Sequence, residues 1–443
     1  MPLPRVRLVV LNYNGGEQVV RCVEHLERLD WPADRLEIVV VDNASGDGSG
    51  RVVGARPRVR LIRSERNLGF PGNNLALRDL DGVDFVGLVN NDAFVEPGFL
   101  HPLVAALEAD ADVGAACPKI LFAPRFLELV VASPTHQVPP DGRDLGVRIS
   151  GLEAESEDRW RSAVFGRGAY HSEPGPPTEN PFRWLSGRAE IAVPVSAGVA
   201  AARIRLASDR PVKAELDGGG DPTPVEVGPA PMWHDVALAG TPFDVVNNAG
   251  SVLVNGSWGA DRGFLEPDTG QYDEPQDVFA WCGAGVLFRP GYLTDIGLFD
   301  ERFFMYYEDT DMAWRGRARG WRYRYVPTAV VRHLHAATSV EGSPLFQHFT
   351  ERNRLLMLTK NAPAPLATRA AGRFLVSTAS YAVRDIVRPA ARGRRPQTGL
   401  VAARLRSFGA YVRLLPGALA DRRRLRSRQR VHDETITGWS VTR

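Results

Sequence analysis

Cysteine is scarce in this 443-residue chain. The three cysteines, Cys22, Cys117 and Cys282, lie far apart in the sequence and form no CxxC pair. An odd number of widely spaced cysteines argues against a disulfide framework and a cysteine-based zinc site. The same pattern is typical of proteins from a reducing compartment.

Long apolar runs are also lacking. The apolar stretch within MPLPRVRLVVLNYNGG is too short for a signal peptide and has no small-residue cleavage site after it. No stretch approaches the roughly 18 consecutive apolar residues that a membrane-spanning helix requires. We therefore expect a cytoplasmic protein that is at most peripheral, at the inner face of the cell membrane.

There is little net charge, but the charge is unevenly distributed. The formal net charge is +2, whereas residues 361–443 contain 17 arginines and four acids. Residues 363–443 are therefore predicted to form a basic helical C-terminal region. One helix face could carry an apolar row with arginines beside it: Leu400, Leu405, Phe408, Val412 and Leu415, with Arg404, Arg406 and Arg413. Such a face could dock on an anionic membrane surface, or it could pack on the rest of the chain.

Apolar runs alternate with helical patterns over the first 120 residues or so. Strands are predicted at 7–11, 37–41, 59–62 and 85–89, with helices at 17–29 and 75–80. Near-continuous β-branched runs that alternate with helices indicate a parallel sheet covered on both faces. Ligands of such sheets bind beyond the carboxyl ends of the strands. Polar residues at those ends should share one edge: Asn12, Asn14, Asp42, Asn43 and Asp92.

The pattern changes after about residue 123. Residues 124–275 are rich in Gly and Pro and contain short alternating runs such as EIAVPV, ARIRLAS and VKAELDG. Short strands at this spacing predict an antiparallel sandwich or barrel. We interpret residues 124–275 as an all-β, sandwich-like insertion into the α/β domain, whose sequence character resumes at 276–362.

Six motifs point to a known family: VVLNYNGG, VVVDNASGDGS, RNLGFPGNN, LVNNDAFVEPGFL, CGAGVLFRPGYLTDIGLFDERFFMYYEDTDMAWRGRARGW and ERNRLLML. In this order they resemble the family 2 glycosyltransferases of GT-A fold, and among these the bacterial rhamnosyltransferase-like enzymes of cell-surface polysaccharide synthesis. The resemblance covers about half of the chain. It implies an α/β fold, a GT-A-type nucleotide-diphospho-sugar transferase domain, with residues 1–123 as the nucleotide-sugar part and 276–362 as the acceptor part.

The resemblance implies a donor site on three motifs. Asp42 corresponds to the residue that reads a uracil or thymine base, although an Asx-turn at this position is an alternative. Asn12 and Tyr13 would line the same pocket. The loop RNLGFPGNN would border ribose and diphosphate through Gly69, Asn73 and Asn74, either asparagine of which could instead be a helix cap.

Asn90, Asn91 and Asp92 occupy the place of the family's DxD motif, where the first acid is missing. A hard divalent cation, Mn²⁺ or Mg²⁺, commonly needs only one or two protein carboxylates when diphosphate oxygens and waters complete its coordination. Asp92 is therefore the predicted metal ligand. A histidine after the last strand contacts metal or diphosphate in many related enzymes, so His333 and His335 are both candidates, with a surface histidine as the alternative.

The family's general base falls in MYYEDTD. We predict Asp309 as the base, with Glu308 second, because a base must lie near the acceptor hydroxyl and be shielded from water. Trp281, Gly283 and Ala284 would lie beside the acceptor, and Trp281 could stack on a sugar.

The predicted function is inverting, metal-dependent transfer of a sugar from a nucleoside diphosphate sugar to a cell-envelope or lipid-linked glycan. Rhamnose from a dTDP donor is the first expectation, and UDP-galactofuranose or another UDP-hexose is the second. A nucleotidyltransferase is disfavoured because the loop after the first strand lacks a basic residue. A non-catalytic glycan-binding protein acting through the insertion is a further alternative, although Trp233 and Trp258 are expected in the core. No nucleic-acid partner is expected.

Overall fold

The computed structural model describes residues 2–137, 142–175, 181–196, 201–334 and 343–442. The chain forms two compact units. The first, here called the α/β unit, contains residues 1–123, 247–264 and 270–443. The second, the β unit, contains residues 124–246 and 265–269.

The first part of the α/β unit alternates strands and helices, as the apolar periodicity predicts. Its strands are β1 (Val6–Asn12), β2 (Leu36–Asp42), β3 (Val59–Arg63), β4 (Phe85–Asn90), β5 (Ala93–Val95) and β6 (Val113–Phe122). Its helices are α1 (Gly16–Glu27), α2 (Ser49–Gly54), α3 (Asn74–Leu77) and α4 (Leu100–Glu108), with a 3₁₀ turn at Phe70–Asn73 before α3.

The β unit consists of short strands. They are β7 (Arg125–Ala132), β8 (Arg148–Ala154), β9 (Glu157–Asp158), β10 (Val164–Phe165), β11 (Ala169–Glu173), β12 (Phe182–Leu185), β13 (Arg188–Val195), β14 (Ala201–Ala207), β15 (Val212–Asp217), β16 (Thr223–Val227) and β17 (Met232–Ala237). They form one sheet in the order β10-β13-β7-β15-β16 and another in the order β11-β12-β8-β14-β17. Every pairing within these two sheets is antiparallel. The alternating apolar residues of both sheets share one buried cluster, which includes Leu129, Leu152, Ile191 and Ile204.

The later part of the chain adds further strands and the C-terminal helices. The strands are β18 (Val246–Asn248), which spans the border of the units, β19 (Ser251–Val254), β20 (Trp258–Asp261), β21 (Gln276–Asp277), β22 (Gly285–Phe288), β23 (Arg322–His333) and β24 (Ser440–Val441). The helices are α5 (Pro290–Ile296), α6 (Glu308–Arg319), α7 (Pro344–Asn361), α8 (Ala364–Ala382), α9 (Arg388–Ala391), α10 (Gly399–Ser427) and α11 (Asp433–Thr437), with a π turn at Val383–Val387.

The main sheet of the α/β unit has the strand order β21-β23-β6-β22-β4-β1-β2-β3. Strands β1 to β4 pair in parallel, as predicted. Strand β22 is antiparallel to both β4 and β6, so the sheet is mixed rather than wholly parallel. In the parallel register Asn12 lies opposite Asp42, and Leu11 lies opposite Asn90. The polar ends of β1, β2 and β4 therefore meet at one edge.

The structure returns to the α/β unit at residue 247, earlier than the predicted resumption at 276. The hairpin β19–β20 belongs to the α/β unit, where β19 pairs with β24. Its short alternating strands resemble sandwich strands in sequence, so periodicity alone could not separate them from the insertion. Helix α10 packs on α7, with the Tyr411 hydroxyl 2.8 Å from Thr359 Oγ1. Within the described ranges no helix is both long and apolar enough to cross a membrane.

Candidate active site

The edge formed by β1, β2 and β4 is held together by Asn12, whose side chain is fully buried. Its Nδ2 donates to Ser49 Oγ (2.9 Å) and Ser45 Oγ (3.1 Å), and its Oδ1 accepts from the Gly15 amide (3.2 Å). The Asn91 amide also approaches Asn12 Oδ1, at 3.5 Å. The Asn12 side chain therefore organises the loops around the edge, and these contacts occupy the groups it would use to bind a ligand.

Asp42 and Tyr13 are the predicted donor residues that reach the surface of this edge. Asp42 is half-buried, and its Oδ1 accepts from the Ser45 amide at 3.2 Å, which is the expected Asx-turn bond. A methyl group at Gly50 would overlap the Asp42 carboxylate, so the glycine permits this close approach. Tyr13 is 42% exposed. A turn-forming role and a ligand-binding role are compatible at Asp42, because only one oxygen makes the turn bond.

The loop RNLGFPGNN is fixed by contacts that differ from the predicted ones. Gly69 has φ +66°, and a side chain there would overlap the Phe304 carbonyl. Asn73 Nδ2 donates to the Phe70 carbonyl at 2.9 Å. Asn74 Nδ2 donates to the Phe299 carbonyl (2.9 Å), while its Oδ1 accepts from the Phe299 amide (3.1 Å). Neither asparagine side chain caps a helix, and both are engaged with backbone.

Two further residues shape the donor side: Asn43, which the sequence placed at this edge without a specific role, and Asp47, which was not predicted. Asn43 donates to Asn67 Oδ1 (2.9 Å) and the Gly69 carbonyl (3.1 Å), and accepts from the Leu68 amide (2.9 Å). Asp47 accepts from Ser49 and from the Gly16 amide at 2.9 Å. These bonds connect the loop after β2 to its neighbours on both sides. The position of Asn43 directly after Asp42, at the end of β2, is the sequence feature that could have indicated this role.

Asp92 and His333 meet beside the ends of β4 and β23, and both are largely buried. Asp92 Oδ1 lies 3.1 Å from His333 Nε2, and Asn247 Oδ1 lies 3.2 Å from His333 Nδ1. If His333 carries its proton on Nδ1 and donates it to Asn247 Oδ1, the lone pair of His333 Nε2 faces the Asp92 carboxylate. A cation bound by both groups would stabilise this arrangement, and Asn247 would orient the ring as outer-shell partners of metal-bound histidines do. His335 lies outside the described residues.

The pair Asp92–His333 fits a divalent cation that receives its remaining ligands from elsewhere. Adjacent ligands of an octahedral ion with bonds of about 2.1 Å lie about 3 Å apart, close to the observed 3.1 Å. Among the described residues, no group of three or more His, Cys, Asp or Glu side chains is arranged to hold a metal. Within the described ranges, Asp92 and His333 would contribute two ligands, with Asn90 and Asn91 as neutral neighbours.

Glu308 and Asp309 begin helix α6, and both carboxyls have a raised pKa. Burial raises the pKa of Glu308 well above its ordinary range, and the charge of Asp309 adds to the effect. In the described part of the chain, Glu308 Oε2 has no hydrogen-bond partner. Burial also raises the pKa of Asp309, to about 6, although hydrogen bonds from Thr310 oppose the shift. Because those bonds favour the ionised form, Asp309 is the better candidate for a base near neutral pH.

The residues before this pair adopt a strained backbone. Phe304, Tyr306 and Tyr307 have φ of 65°, 67° and 67°, which costs roughly 1–3 kcal/mol for each non-glycine residue. Asn353 is fully buried in α7. Its Nδ2 lies within 2.7–2.8 Å of three carbonyl oxygens of this loop, those of Phe303, Met305 and Tyr306. These contacts hold the loop in its strained conformation.

Arg352 supports the same loop. Its guanidinium donates to the Arg302 carbonyl (2.7 Å) and the Phe303 carbonyl (2.9 Å). Asp311, two residues after Asp309, is buried and bonds Arg315 (3.0 Å), Lys360 (2.8 Å) and Asn361 (2.8 Å). Arg352 therefore binds backbone rather than phosphate in this structure, and Asp311 is a structural acid.

The prediction that Trp281 stacks on a sugar is wrong. Its side chain is fully buried and packs edge-on against Phe288 (4.8 Å between ring centroids) and Phe299 (6.1 Å). Of its two predicted companions, Gly283 allows Phe70 to approach, since a side chain there would lie 2.6 Å from the Phe70 ring. Ala284 is buried, and its carbonyl accepts from the Asn90 amide at 3.2 Å.

The expectation that Trp233 and Trp258 are core residues is also wrong, since they are 36% and 43% exposed. Trp258 belongs to the α/β unit, and the Arg354 guanidinium lies 3.9 Å from the centre of its ring. A side chain at the next residue, Gly259, would lie 3.0 Å from Thr310 Oγ1. The charge of Asp261 on the same strand contributes to the raised pKa of Asp309. Strand β20 thus packs against the start of α6 at Gly259 and carries the exposed Trp258 one residue earlier.

Two segments of the chain match known protein families. Residues 8–130 match the family Glycosyl transferase family 2, and residues 234–356 match the family Glycosyltransferase like family 2. The first segment contains Asp42 and Asp92, and the second contains Trp258, Asp309 and His333.

Individual relatives are similar over shorter stretches. Glycosyltransferase GlyG of Streptococcus pneumoniae is 31% identical over 114 residues, which is 24% of this chain and 37% of GlyG. The succinoglycan biosynthesis protein ExoO of Rhizobium meliloti is 32% identical over 109 residues, 24% of this chain and 31% of ExoO. The chain thus spans about a third of the length of these relatives.

A solved structure of GalNAc-T7 with UDP, GalNAc and Mn²⁺ is similar over 81% of this chain and 48% of the GalNAc-T7 chain. The sequence identity is 14% and the TM-score is 0.45. A likeness this distant carries no functional argument. The two family matches, by contrast, include the polar edge of the mixed sheet and the Glu308–Asp309 pair. Residues 8–130 and 234–356 of this chain are therefore similar to the family 2 glycosyltransferases, and the mixed sheet of the α/β unit is of GT-A type.

Proposed function

We propose that this chain is an inverting, metal-dependent glycosyltransferase that moves a sugar from a nucleoside diphosphate sugar to a hydroxyl of a cell-envelope or lipid-linked glycan. One observation carries the proposal. The α/β unit contains both the Asp92–His333 pair and a shielded carboxyl, Asp309, whose pKa of about 6 suits a general base. The amide of Phe70 in the donor loop bonds the Phe304 carbonyl at 2.6 Å, which joins the two parts of the site.

Each half of the reaction has its residues. Asp42, Tyr13 and the loop around Gly69 bind the nucleoside diphosphate. A cation held by Asp92 and His333 would supply positive charge next to the diphosphate. On the acceptor side, ionised Asp309 takes the proton of the attacking hydroxyl. The new bond forms at the anomeric carbon as the bond to the diphosphate breaks, which inverts the configuration.

The acceptor lies over Trp258 in this proposal, in place of the buried Trp281. An exposed indole can stack on a sugar face, and its partner Arg354 fixes its orientation from one side. The relative ExoO is named for succinoglycan biosynthesis, and TarS of Staphylococcus aureus, 27% identical over 106 residues, is named as a poly(ribitol-phosphate) β-N-acetylglucosaminyltransferase. These names favour a polymeric acceptor of the cell envelope for this chain.

The donor is the least defined part of the proposal. dTDP-rhamnose is the first candidate, by resemblance of the motifs to rhamnosyltransferase-like enzymes, and UDP-galactofuranose and UDP-hexoses follow. Thermal stabilisation by a panel of dTDP-, UDP- and GDP-sugars, with and without Mn²⁺, tests both donor and metal. We expect one nucleotide class to stabilise the protein more strongly in the presence of Mn²⁺. Indifference to every donor and to the metal would contradict the proposed function.

The missing acid of the DxD motif leads to a prediction about Asp92. Asp92→Ala is expected to lower sugar transfer about 10³-fold, because the carboxylate predicted to bind the metal is lost. Asn90→Asp, the matched variant that restores the usual first acid, should retain most of the activity. Transfer rates and Mn²⁺-dependent stabilisation by the nucleoside diphosphate are the measurements. Equal loss in both variants, or full activity of Asp92→Ala, would exclude Asp92 as the main ligand.

A further inference from the structure

The helical segment that follows α7 exposes apolar side chains. Val376, Val383 and Val387 are 71%, 45% and 56% exposed, and Leu375 beside them is 43% exposed. Val376 and Val383 are seven residues apart, which places them on the same side of a helix, and Val387 follows one turn later. We call Val376, Val383 and Val387 the valine stripe. The opposite side of the segment, with Ala370, Phe374 and Thr378, is buried.

The valine stripe lies in a strongly basic stretch. Residues 364–395 contain a single acid, Asp385, and seven exposed arginines: Arg369, Arg373, Arg384, Arg388, Arg392, Arg394 and Arg395. Asp385 pairs with Arg384 at 2.5 Å. Arg384 and Arg388 each follow a valine of the stripe directly, and Arg369 and Arg373 lie within two turns before it. Long arginine side chains beside exposed valines can cover apolar surface while their charges reach outward.

We propose that the valine stripe and its flanking arginines bind the surface of an anionic lipid bilayer. An interfacial helix of this kind places its apolar side at the boundary of headgroups and acyl chains, while its cations contact anionic headgroups. The proposal commits to a membrane rather than a second copy of the chain. A symmetric contact through the stripe would bring two sets of like-charged arginines together.

This surface differs from the one that the sequence suggested. The apolar face that the sequence predicted on α10 packs in part against other helices of the α/β unit. Phe408 stacks on Phe374 at 5.6 Å between ring centroids, and Arg404 bonds Glu351 and Thr378. Packing on the rest of the chain is therefore the observed role of Phe408 and Arg404, while Leu400, Leu405 and Val412 of the predicted face are 37%, 53% and 46% exposed. The valine stripe, on the segment before α10, is the membrane-binding surface proposed here.

The test is co-sedimentation of the full chain with vesicles of phosphatidylcholine alone and of phosphatidylcholine mixed with phosphatidylglycerol. We expect binding to the anionic vesicles, with an affinity at least about tenfold higher than for the neutral ones, that weakens several-fold as salt rises to about 0.5 M. Val376→Asp/Val383→Asp should lower this binding about tenfold or more, since it places charge in the apolar side. Arg369→Gln/Arg373→Gln should weaken it by a similar factor.

Val52→Asp is the matched control, because Val52 on α2 is 56% exposed and lies outside the basic stretch. It should leave vesicle binding unchanged. The thermal unfolding midpoint of each variant shows whether that variant is folded. If Val376→Asp/Val383→Asp is misfolded, Arg369→Gln/Arg373→Gln still tests the proposal. Absence of wild-type binding, equal binding to both vesicle types, or unchanged binding of the folded variants would overturn the proposal. So would a wild-type dimer that dissociates in Val376→Asp/Val383→Asp, since a second copy would then cover the stripe.

Discussion

Asp309→Asn is expected to abolish sugar transfer while leaving binding of the nucleoside diphosphate sugar intact. Loss of a general base typically lowers the rate about 10²–10⁴-fold, and asparagine keeps the shape of the side chain while removing its basicity. The donor residues Asp42 and Asp92 are not altered. Transfer rate and donor-dependent thermal stabilisation, measured on the same preparation, separate the two effects. Retained transfer would remove Asp309 from the mechanism.

The pH dependence of the wild-type rate should reflect the ionisation of Asp309. Asp309 acts as a base only when ionised, and its pKa is raised to about 6. The rate constant kcat/KM is therefore expected to fall about tenfold per pH unit below pH ~6 and to level off above it. Asp261→Asn is the comparison, since it removes a charge that contributes to the raised pKa of Asp309 and should shift this limb to lower pH without abolishing transfer.

A stability measurement guards against misinterpreting Asp309→Asn. A carboxyl with a raised pKa binds its proton more tightly in the folded chain than in the unfolded chain. The folded state is therefore penalised as pH rises from about 4 through about 6. Asparagine removes this penalty. Asp309→Asn should consequently melt at a higher temperature than the wild type above pH ~6, with the difference shrinking at lower pH. A lower melting temperature at all pH values would mean that the activity loss reflects a damaged fold.

Asn353→Asp is expected to be the most destabilising single change at this site. The Asn353 Nδ2 is fully buried and lies within 2.8 Å of the carbonyl oxygens of Phe303, Met305 and Tyr306, among which it shares its two N–H groups. Aspartate has the same shape but no donor, so it removes these hydrogen bonds and places a carboxyl against the same carbonyl oxygens. Each unsatisfied buried group costs about 1–3 kcal/mol. We expect the free energy of unfolding of the α/β unit to fall by roughly 3 kcal/mol or more.

The loop that Asn353 holds leads directly into Glu308 and Asp309, so activity should fall as well as stability. At temperatures where Asn353→Asp is still folded, transfer is expected to decrease at least tenfold, because the base is no longer held in position. Asn255→Asp is the matched control. Asn255 is exposed and has φ 48°, a conformation that aspartate also tolerates. Thermal denaturation and transfer rates of both variants test this, and similar behaviour of the two would contradict the proposed role.

Much of the fold could be predicted from local patterns. The apolar runs that predicted strands at 37–41 and 85–89 form β2 and β4, and their polar ends meet at one edge as expected. Strand β22 departed from the expectation of a parallel sheet. Its short apolar run GVLF contains no information on direction, because strand direction depends on how the chain reaches the sheet and not on side-chain period.

The roles of individual polar and aromatic residues were harder to predict. Asn12 and Asn74 have the residue types expected of a ligand-binding loop, but their side chains bond other parts of the protein. Trp281 and Trp258 exchanged their expected positions, one buried and one exposed. A residue type and a motif position constrain which bonds a side chain can make. They do not determine which partner, tens or hundreds of residues away, the fold places within reach.

The sequence by itself determined the sheet-forming strands, the motif set that resembles the family 2 glycosyltransferases, and the candidates Asp42, Asp92 and Asp309. These depend on local periodicity and on residue order, which the chain carries directly. Only the tertiary structure decided that Asn353 holds the loop before Asp309 and that Asn247 orients His333 towards Asp92. Both contacts join segments distant in sequence, and a hydrogen bond depends on atomic positions that local patterns do not encode.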